Sequence, residues 1–179
     1  MNPFAEHKKI DAHTHIGNFG SPFNVNFNTD LLLKQMEEFN IEKTILCPAA
    51  YMLNEEVNTA YKQHPDKIIP LAWINANLGD VAYADAEHYL RDEGFAGLKM
   101  QPLFDGFTAD SPAVDPVMEI ARKYKKPVFI HCGHPPFSLP WQIGLLAERH
   151  PEVPIVMIHM GHGHGVYIDA SITMAKKFD

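Results

Sequence analysis

Asp11, His13 and His15 occupy alternate positions in the segment Asp11-Ala12-His13-Thr14-His15, close to the start of the chain. Side chains alternate between the two faces of a β-strand, so these three would share one face if the segment is a strand. Neutral imidazole is the commonest metal ligand, and a nearby carboxylate can fix the tautomer of a ligating ring. The spacing predicts a metal site, with a pair of surface histidines as the alternative interpretation.

Three more basic side chains lie at or near the ends of short apolar segments, namely Lys99, His131 and His159. In (β/α) barrels the catalytic groups gather at the C-terminal ends of the strands. Four segments that end in this way therefore predict one shared site. Lys99 has two interpretations that stay open: a buried base or substrate anchor, or an interior ion-pair partner of, for example, Asp11.

Short apolar segments alternate with amphipathic helical patterns along the whole chain. The predicted strands are Lys8–Thr14, Lys43–Pro48, Ile68–Asn75, Ala96–Met100, Pro127–His131 and Ile155–His159. The predicted helices are Asp30–Phe39, Glu55–His64, Val81–Glu93, Pro112–Tyr124, Trp141–His150 and Tyr167–Lys177. Asn28 or Thr29 is predicted to cap the first helix, and Asn54 the second. Strict alternation of strand and helix predicts a parallel sheet with right-handed crossovers.

The spacing of the predicted strands indicates the fold class. Successive strands lie about 29 residues apart, close to the unit length of an eightfold barrel of roughly 250 residues. We therefore predict an α/β protein with a TIM-type (β/α) barrel, incomplete, with about six of eight units, as a single domain over residues 1–179. Open flavodoxin-like or Rossmann sheets are the rivals, but the loop His15–Gly20 lacks their glycine-rich phosphate-binding pattern.

Composition narrows the cellular setting and the partners. The chain has 179 residues, of which 46% are hydrophobic, and it shows no signal-peptide pattern and no apolar segment of membrane-spanning length. Cys47 and Cys132 are far apart and are predicted to be buried free thiols in a reducing compartment. The net charge of −7 argues against nucleic acid as a partner. We expect a cytoplasmic protein that acts on a small molecule, away from membranes.

The other histidines and the loop aromatics are weaker candidates. Solvated or helix-terminal roles are expected for His7, His64, His88 and His150. Three histidines fall in glycine-containing loops on the functional face and are expected to be poor at fixing a metal, namely His134, His162 and His164. Five aromatic residues near the predicted mouth suggest an apolar ligand or ordinary loop packing: Phe19, Phe23, Phe27, Phe104 and Phe107.

Four segments together resemble the amidohydrolase superfamily, and more closely its amidohydrolase 2 branch of metal-dependent hydrolases and decarboxylases. They are Ile10-Asp11-Ala12-His13-Thr14-His15, Gly97-Leu98-Lys99-Met100-Gln101-Pro102, Pro127-Val128-Phe129-Ile130-His131-Cys132-Gly133 and Ile155-Val156-Met157-Ile158-His159-Met160-Gly161. Their order and spacing agree with the family, so the resemblance spans nearly the whole chain.

The resemblance implies roles for these residues. His13, His15 and His131 would be metal ligands for Zn²⁺ or another divalent ion, and His159 would ligate the metal or polarise the substrate. Lys99 matches a lysine that bridges two metals in some branches, although a single metal is more usual in this one. Asp11 would orient a ligand ring, which places Asp11, Lys99 and His159 among the catalytic candidates.

The chain departs from the family at one position, because no acidic residue replaces the aspartate that the family carries on strand eight. A fragment, a barrel completed by another copy, or an impaired enzyme would each explain this. An open six-strand sheet also predicts self-association, through unpaired edges.

The expected activity is metal-dependent hydrolysis of a C–N or C–O bond in a small, perhaps cyclic or aromatic, substrate. Non-oxidative decarboxylation of an aromatic acid is the alternative within the branch. A catalytically impaired metal-binding remnant is the alternative from another class. A phosphoesterase with a similar His-x-His start lacks support, because its additional ligand motifs are absent.

Overall fold

A computed structural model describes residues 6–21, 23–49, 53–162 and 165–178. The chain divides into two compact units, unit 1 (Met1–Trp73) and unit 2 (Ile74–Asp179). Each unit is described by itself below, and the single domain over residues 1–179 stays a prediction. No helix in the described ranges is long and apolar enough to cross a membrane.

Unit 1 contains a four-stranded sheet and two helices. The elements are β1 (Lys9–Phe19), β2 (Val25–Phe27), α1 (Thr29–Glu38), β3 (Ile41–Pro48), α2 (Asn54–Gln63) and β4 (Ile68–Trp73). The strand order is β2-β1-β3-β4, in which β2 is antiparallel to β1 and the other pairs are parallel. Burial of Leu46 on β3 and of Met36 and Val57 on the helices forms the core of this unit.

Unit 2 contains three parallel strands in the order β5-β6-β7. Its elements are α3 (Asp80–Arg91), β5 (Gly97–Met100), α4 (Pro102–Asp105), α5 (Asp115–Tyr124), β6 (Val128–His131), α6 (Pro140–Arg149), β7 (Ile155–Ile158) and α7 (Ile168–Lys177). Every residue of β5 and β6 is buried, as expected for parallel strands that are covered on both faces. Lys99 and His131 are therefore the polar exceptions within two apolar strands.

Several predicted boundaries are wrong for local reasons. β1 continues beyond Thr14 to Phe19 because it pairs with β2, a three-residue strand too short to show a pattern. The predicted helix Pro112–Tyr124 begins as a 3₁₀ turn over Pro112–Val114, and the four-residue α4 was not predicted. The six main strands are otherwise where the sequence predicts them.

The two predicted helix caps have different outcomes. Asn28 caps α1, since its side chain accepts a hydrogen bond from the backbone N–H of Leu31 at 3.0 Å. Asn54 does not cap α2, because it is the first residue of the helix and its side chain bonds the backbone of Trp73 instead. Its Nδ2 donates to the Trp73 carbonyl at 2.9 Å, and its Oδ1 accepts from the Trp73 N–H at 2.8 Å. A buried amide thus joins the start of α2 to the end of β4.

Replacing this amide should destabilise unit 1. Asn54→Ala leaves the N–H and C=O of Trp73 buried without these partners, so we expect a loss of about 2–4 kcal/mol in the free energy of unfolding. Urea denaturation measures this loss. The matched control is Asn77→Ala, which removes an exposed bond to the Asp105 carbonyl and should cost roughly 0.5 kcal/mol or less. Equal unfolding midpoints for the two variants would contradict this account.

Candidate metal centre

In unit 1, the pairing of β1 with β3 positions two imidazoles and a thiol. The strands are parallel, and the register places His15 beside Cys47. The Nε2 atoms of His13 and His15 are 3.0 Å apart, and the ring centroids are 4.6 Å apart. The Cys47 Sγ lies 3.8 Å from the His15 Nε2 and 3.8 Å from the His13 Nδ1. In the part of the chain that the structure describes, these three residues form the group with metal-binding geometry, with ligand atoms all within 4.8 Å of one another.

The tautomer of His15 is set by a backbone carbonyl. Its Nδ1 lies 2.8 Å from the carbonyl oxygen of Pro48, which can only accept, so Nδ1 carries the proton. The Nε2 of His15 therefore carries a lone pair, which accepts the hydrogen bond that the Nε2–H of His13 donates. A His15 ring oriented in this way presents the nitrogen that a cation requires. The residues of unit 1 therefore fit a divalent metal.

Asp11 does not occupy the predicted position. A register shift between Asp11 and Thr14 inserts an extra residue into β1, so Asp11 aligns with Thr44 and Thr14 with Leu46. Such a bulge breaks the alternation of faces, and the prediction that Asp11 shares the face of His15 is wrong. The Asp11 carboxylate accepts from the backbone N–H of His13 at 3.1 Å. It therefore braces the bulge, whereas the Pro48 carbonyl orients the His15 ring.

The three predicted loop aromatics of unit 1 lie in different environments. Phe19, at the end of β1, packs edge-on against His15 with ring centroids 5.7 Å apart. Phe23 is exposed, and Phe27 belongs to β2. Phe19 is thus a predicted loop aromatic that contacts a candidate ligand.

In unit 2, Lys99 is buried in the middle of β5. Only 1% of its surface is exposed, and its Nζ donates to the Met100 carbonyl at 3.2 Å. Its neighbour in register on β6 is Phe129. A buried ammonium group is costly unless it is paired or hydrogen-bonded, and burial is expected under both interpretations of Lys99, as an anchor or base and as an ion-pair partner.

Four histidines cluster at the end of β6 and in the loops that follow β6 and β7 of unit 2. His131 lies 4.7 Å from His134, 4.9 Å from His159 and 5.8 Å from His162 between ring centroids. His134 and His162 are 4.6 Å apart. The sequence predicts that histidines in these glycine-containing loops are poor at fixing a metal, yet His134 and His162 both belong to the cluster. His164, the third of them, lies outside the described residues.

A close backbone contact holds these two loops together. A Cβ on Gly133 would lie 2.1 Å from the carbonyl oxygen of Gly161, so only glycine fits there. His159 follows the end of β7 and opens a 3₁₀ turn, rather than ending the strand as predicted. Three non-glycine residues in this loop have left-handed φ angles: His159 at 68°, Met160 at 48° and His162 at 33°. Backbone strain of this kind is concentrated at functional sites.

Burial keeps His131 neutral. Desolvation, followed by the positive charges of Lys99 and the neighbouring histidines, lowers the pKa of His131 to about 2. Its Nε2 lies 2.7 Å from the His134 Nδ1, and its buried Nδ1 has no hydrogen-bond partner among the described residues. Burial also lowers the pKa of His134. A neutral imidazole with an unused buried nitrogen is the form in which histidine binds metals.

Solvated or helix-terminal roles are predicted for four other histidines, and His64 follows the end of α2 accordingly. His88 is exposed on α3 and bonds Asp92. His150 follows α6 as predicted, but it is buried, and its Nε2 lies 2.8 Å from the Asp115 carboxylate. A groove of about 570 Å³ in unit 2 lies beside α6 and α7, and none of the four clustered histidines lines it.

Comparison with known proteins gives the family and the fold. Residues 10–179 match the family described as Amidohydrolase, and no curated protein matches the sequence. An uncharacterised TIM-barrel protein from Bordetella bronchiseptica has a TM-score of 0.76 at 17% identity, over 95% of this chain and 72% of that chain. A 5-carboxyvanillate decarboxylase from Novosphingobium aromaticivorans with bound manganese has a TM-score of 0.73 at 13% identity, over 97% and 72%.

A probable 2-pyrone-4,6-dicarboxylic acid hydrolase from Acinetobacter baumannii has a TM-score of 0.64 at 14% identity, over 93% of this chain and 66% of that chain. At these identities the likenesses show the fold. They confirm the α/β class and the incomplete TIM-type (β/α) barrel that the strand spacing predicts.

The neutral state of His131 should make the stability of the metal-free protein depend on pH. Its pKa is about 2 when folded and about 6.5 when unfolded, so the unfolded chain binds more protons between these values. This contribution to stability is complete above about pH 6.5 and falls as the pH decreases below it. We expect the urea midpoint to fall less steeply from pH 7.5 to pH 5 in His131→Asn than in the wild type.

The control for this series is His88→Asn, which alters an exposed histidine and should retain the wild-type slope. A His131→Asn slope equal to that of the wild type would contradict the assignment of His131 as a buried neutral imidazole.

Proposed function

Because the chain belongs to the amidohydrolase family, we propose that it is a metal-dependent hydrolase that cleaves a C–N or C–O bond at a carbonyl of a small, cyclic or aromatic substrate. The observation that carries the proposal is the His13–His15 pair, whose Nε2 atoms are 3.0 Å apart with the tautomer of His15 set by Pro48. Such a pair becomes two neutral metal ligands once the His13 proton moves from Nε2 to Nδ1, which leaves a lone pair on each Nε2 for a cation.

The proposed ligands are His13 and His15 of unit 1, with His131 and His159 of unit 2 added from the family resemblance. A divalent ion, which we propose to be zinc, would polarise a substrate carbonyl and lower the pKa of a water molecule to about 7. His131 is suited to bind the ion because burial keeps it neutral and leaves its Nδ1 without a hydrogen-bond partner among the described residues.

The remaining candidates have supporting roles in this proposal. His159, next to His131 and exposed, would stabilise negative charge that develops on the substrate oxygen. Lys99 would anchor an anionic substrate group or act as a base from its buried position on β5. Asp11 would keep His13 in place through its backbone N–H.

Decarboxylation is the second candidate. A solved structure similar in fold is a decarboxylase with bound manganese, and another is a probable hydrolase. Both reactions would use the same histidines, so the choice between them rests on the substrate. Metal binding without turnover is the outcome expected for an impaired remnant.

We further propose a cytoplasmic location, supported by the two free and buried cysteines Cys47 and Cys132. Self-association also stays a prediction. It is supported by β7, which pairs with β6 along one edge among the described residues and whose Val156 is exposed, since an unpaired strand edge invites association.

Metal analysis of the purified protein tests the proposed site. We expect about one divalent ion per chain, as in a mononuclear zinc site. His13→Ala removes one of the paired imidazoles and should abolish most of this content, whereas the control His88→Ala should leave it unchanged. Absence of metal in the wild type, or retention of metal in His13→Ala, would contradict the proposal.

Product analysis separates the two reactions. The metal-loaded protein is offered a panel of lactones and a panel of hydroxybenzoates. Ring-opened acids from the first panel support hydrolysis, whereas carbon dioxide from the second supports decarboxylation and overturns the hydrolase assignment. Bound metal with no product from either panel supports the remnant.

A further inference from the structure

We propose that Cys47 is a third metal ligand beside His13 and His15, so that unit 1 offers a His₂Cys site for a thiophilic divalent cation. This inference rests on the proposed function insofar as that function places a metal on the two histidines. It adds a sulfur donor that the family resemblance does not include.

The pairing of β1 and β3 places the thiol on the correct face. In the register His15 aligns with Cys47, and aligned residues of parallel strands point to the same side of the sheet. Cys47 is fully buried, and its Sγ lies 3.3 Å from the His15 Nδ1 and 3.8 Å from the His15 Nε2. The sulfur therefore faces the imidazoles rather than an apolar core.

The three donor groups lie close enough to share one ion, since one ligand atom from each lies within 4.8 Å of the others. Zinc with ligands at its usual bond lengths separates two nitrogens by about 3.3 Å, and a nitrogen from a sulfur by about 3.6 Å. The corresponding distances are 3.0 Å between the His13 and His15 Nε2 atoms and 3.8 Å from the His15 Nε2 to the Cys47 Sγ. The sulfur lies nearer the His15 Nδ1 than its Nε2, so a rotation of the Cys47 side chain about its Cα–Cβ bond is required to bring the thiolate onto an ion held by the two Nε2 atoms.

The second cysteine provides an internal comparison. Cys132 is also buried, but its Sγ lies 4.0 Å from the Ser171 hydroxyl, and burial raises the pKa of its thiol. Cys132 is therefore a structural thiol. Cys47 has the two imidazoles in addition to a backbone acceptor, the Thr14 carbonyl at 3.4 Å.

Binding involves a defined proton balance. The Cys47 thiol loses its proton to solvent and forms the sulfur–metal bond as a thiolate. His13 moves its proton from Nε2 to Nδ1, and His15 keeps its proton on Nδ1 toward Pro48, so both imidazoles stay neutral. One proton is released for each ion bound. A thiolate also favours zinc, cobalt or cadmium over manganese or magnesium.

Titration of the reduced, metal-free full chain with Co²⁺ tests this inference, because a thiolate bound to cobalt produces a near-ultraviolet charge-transfer band. We expect the band in the wild type and in the matched control Cys132→Ser. In Cys47→Ser we expect no band, and an affinity for cobalt reduced by at least about 10–100-fold, the range for loss of an outer-shell partner.

The outcomes distinguish this inference from the proposed function. Cobalt bound without the band overturns the role of Cys47 and leaves the histidine site intact. No cobalt binding overturns both. Since the chain has two cysteines, a band that survives Cys132→Ser assigns the sulfur to Cys47 even if Cys47→Ser does not fold. A band lost in Cys132→Ser overturns the inference.

Discussion

The parallel register between β1 and β3 is the constraint on which the candidate metal site of unit 1 depends. It aligns His15 with Cys47 and brings the Pro48 carbonyl within 2.8 Å of the His15 Nδ1. The carbonyl fixes the tautomer, and the tautomer leaves a lone pair on Nε2. A backbone hydrogen-bonding pattern thus determines which nitrogen is available for a cation, and only then does the identity of the side chains matter.

In unit 2, a contact between loops rather than a pairing of strands brings the candidate residues together. The contact between Gly133 and Gly161 brings two loops close enough for four imidazoles to cluster. Burial keeps His131 neutral. The residues with left-handed φ angles, which include His159, turn the backbone of the loop that follows β7. The two glycines are needed for close packing rather than for flexibility, because a Cβ would prevent this contact.

Much of the architecture could be predicted from the sequence, because apolar segments and helical patterns alternate at a regular spacing. The His-x-His pair and the histidines after two later strands could be found in the same way, since they follow recognisable segments. Three features could not. The bulge that removes Asp11 from the shared face leaves no mark in composition. Cys47 becomes a candidate ligand only through a register between residues 32 apart in the chain. The loop histidine His162 gains its neighbours from a glycine contact that no local pattern predicts.

The central claim is that His13 and His15 of this amidohydrolase family member hold a divalent cation. Crystals of the zinc-loaded protein, measured on both sides of the zinc absorption edge, test it most directly. The account predicts an anomalous peak about 2.0–2.1 Å from the Nε2 atoms of both histidines. A zinc peak that lies elsewhere, with the two Nε2 atoms still in contact with each other, would contradict it.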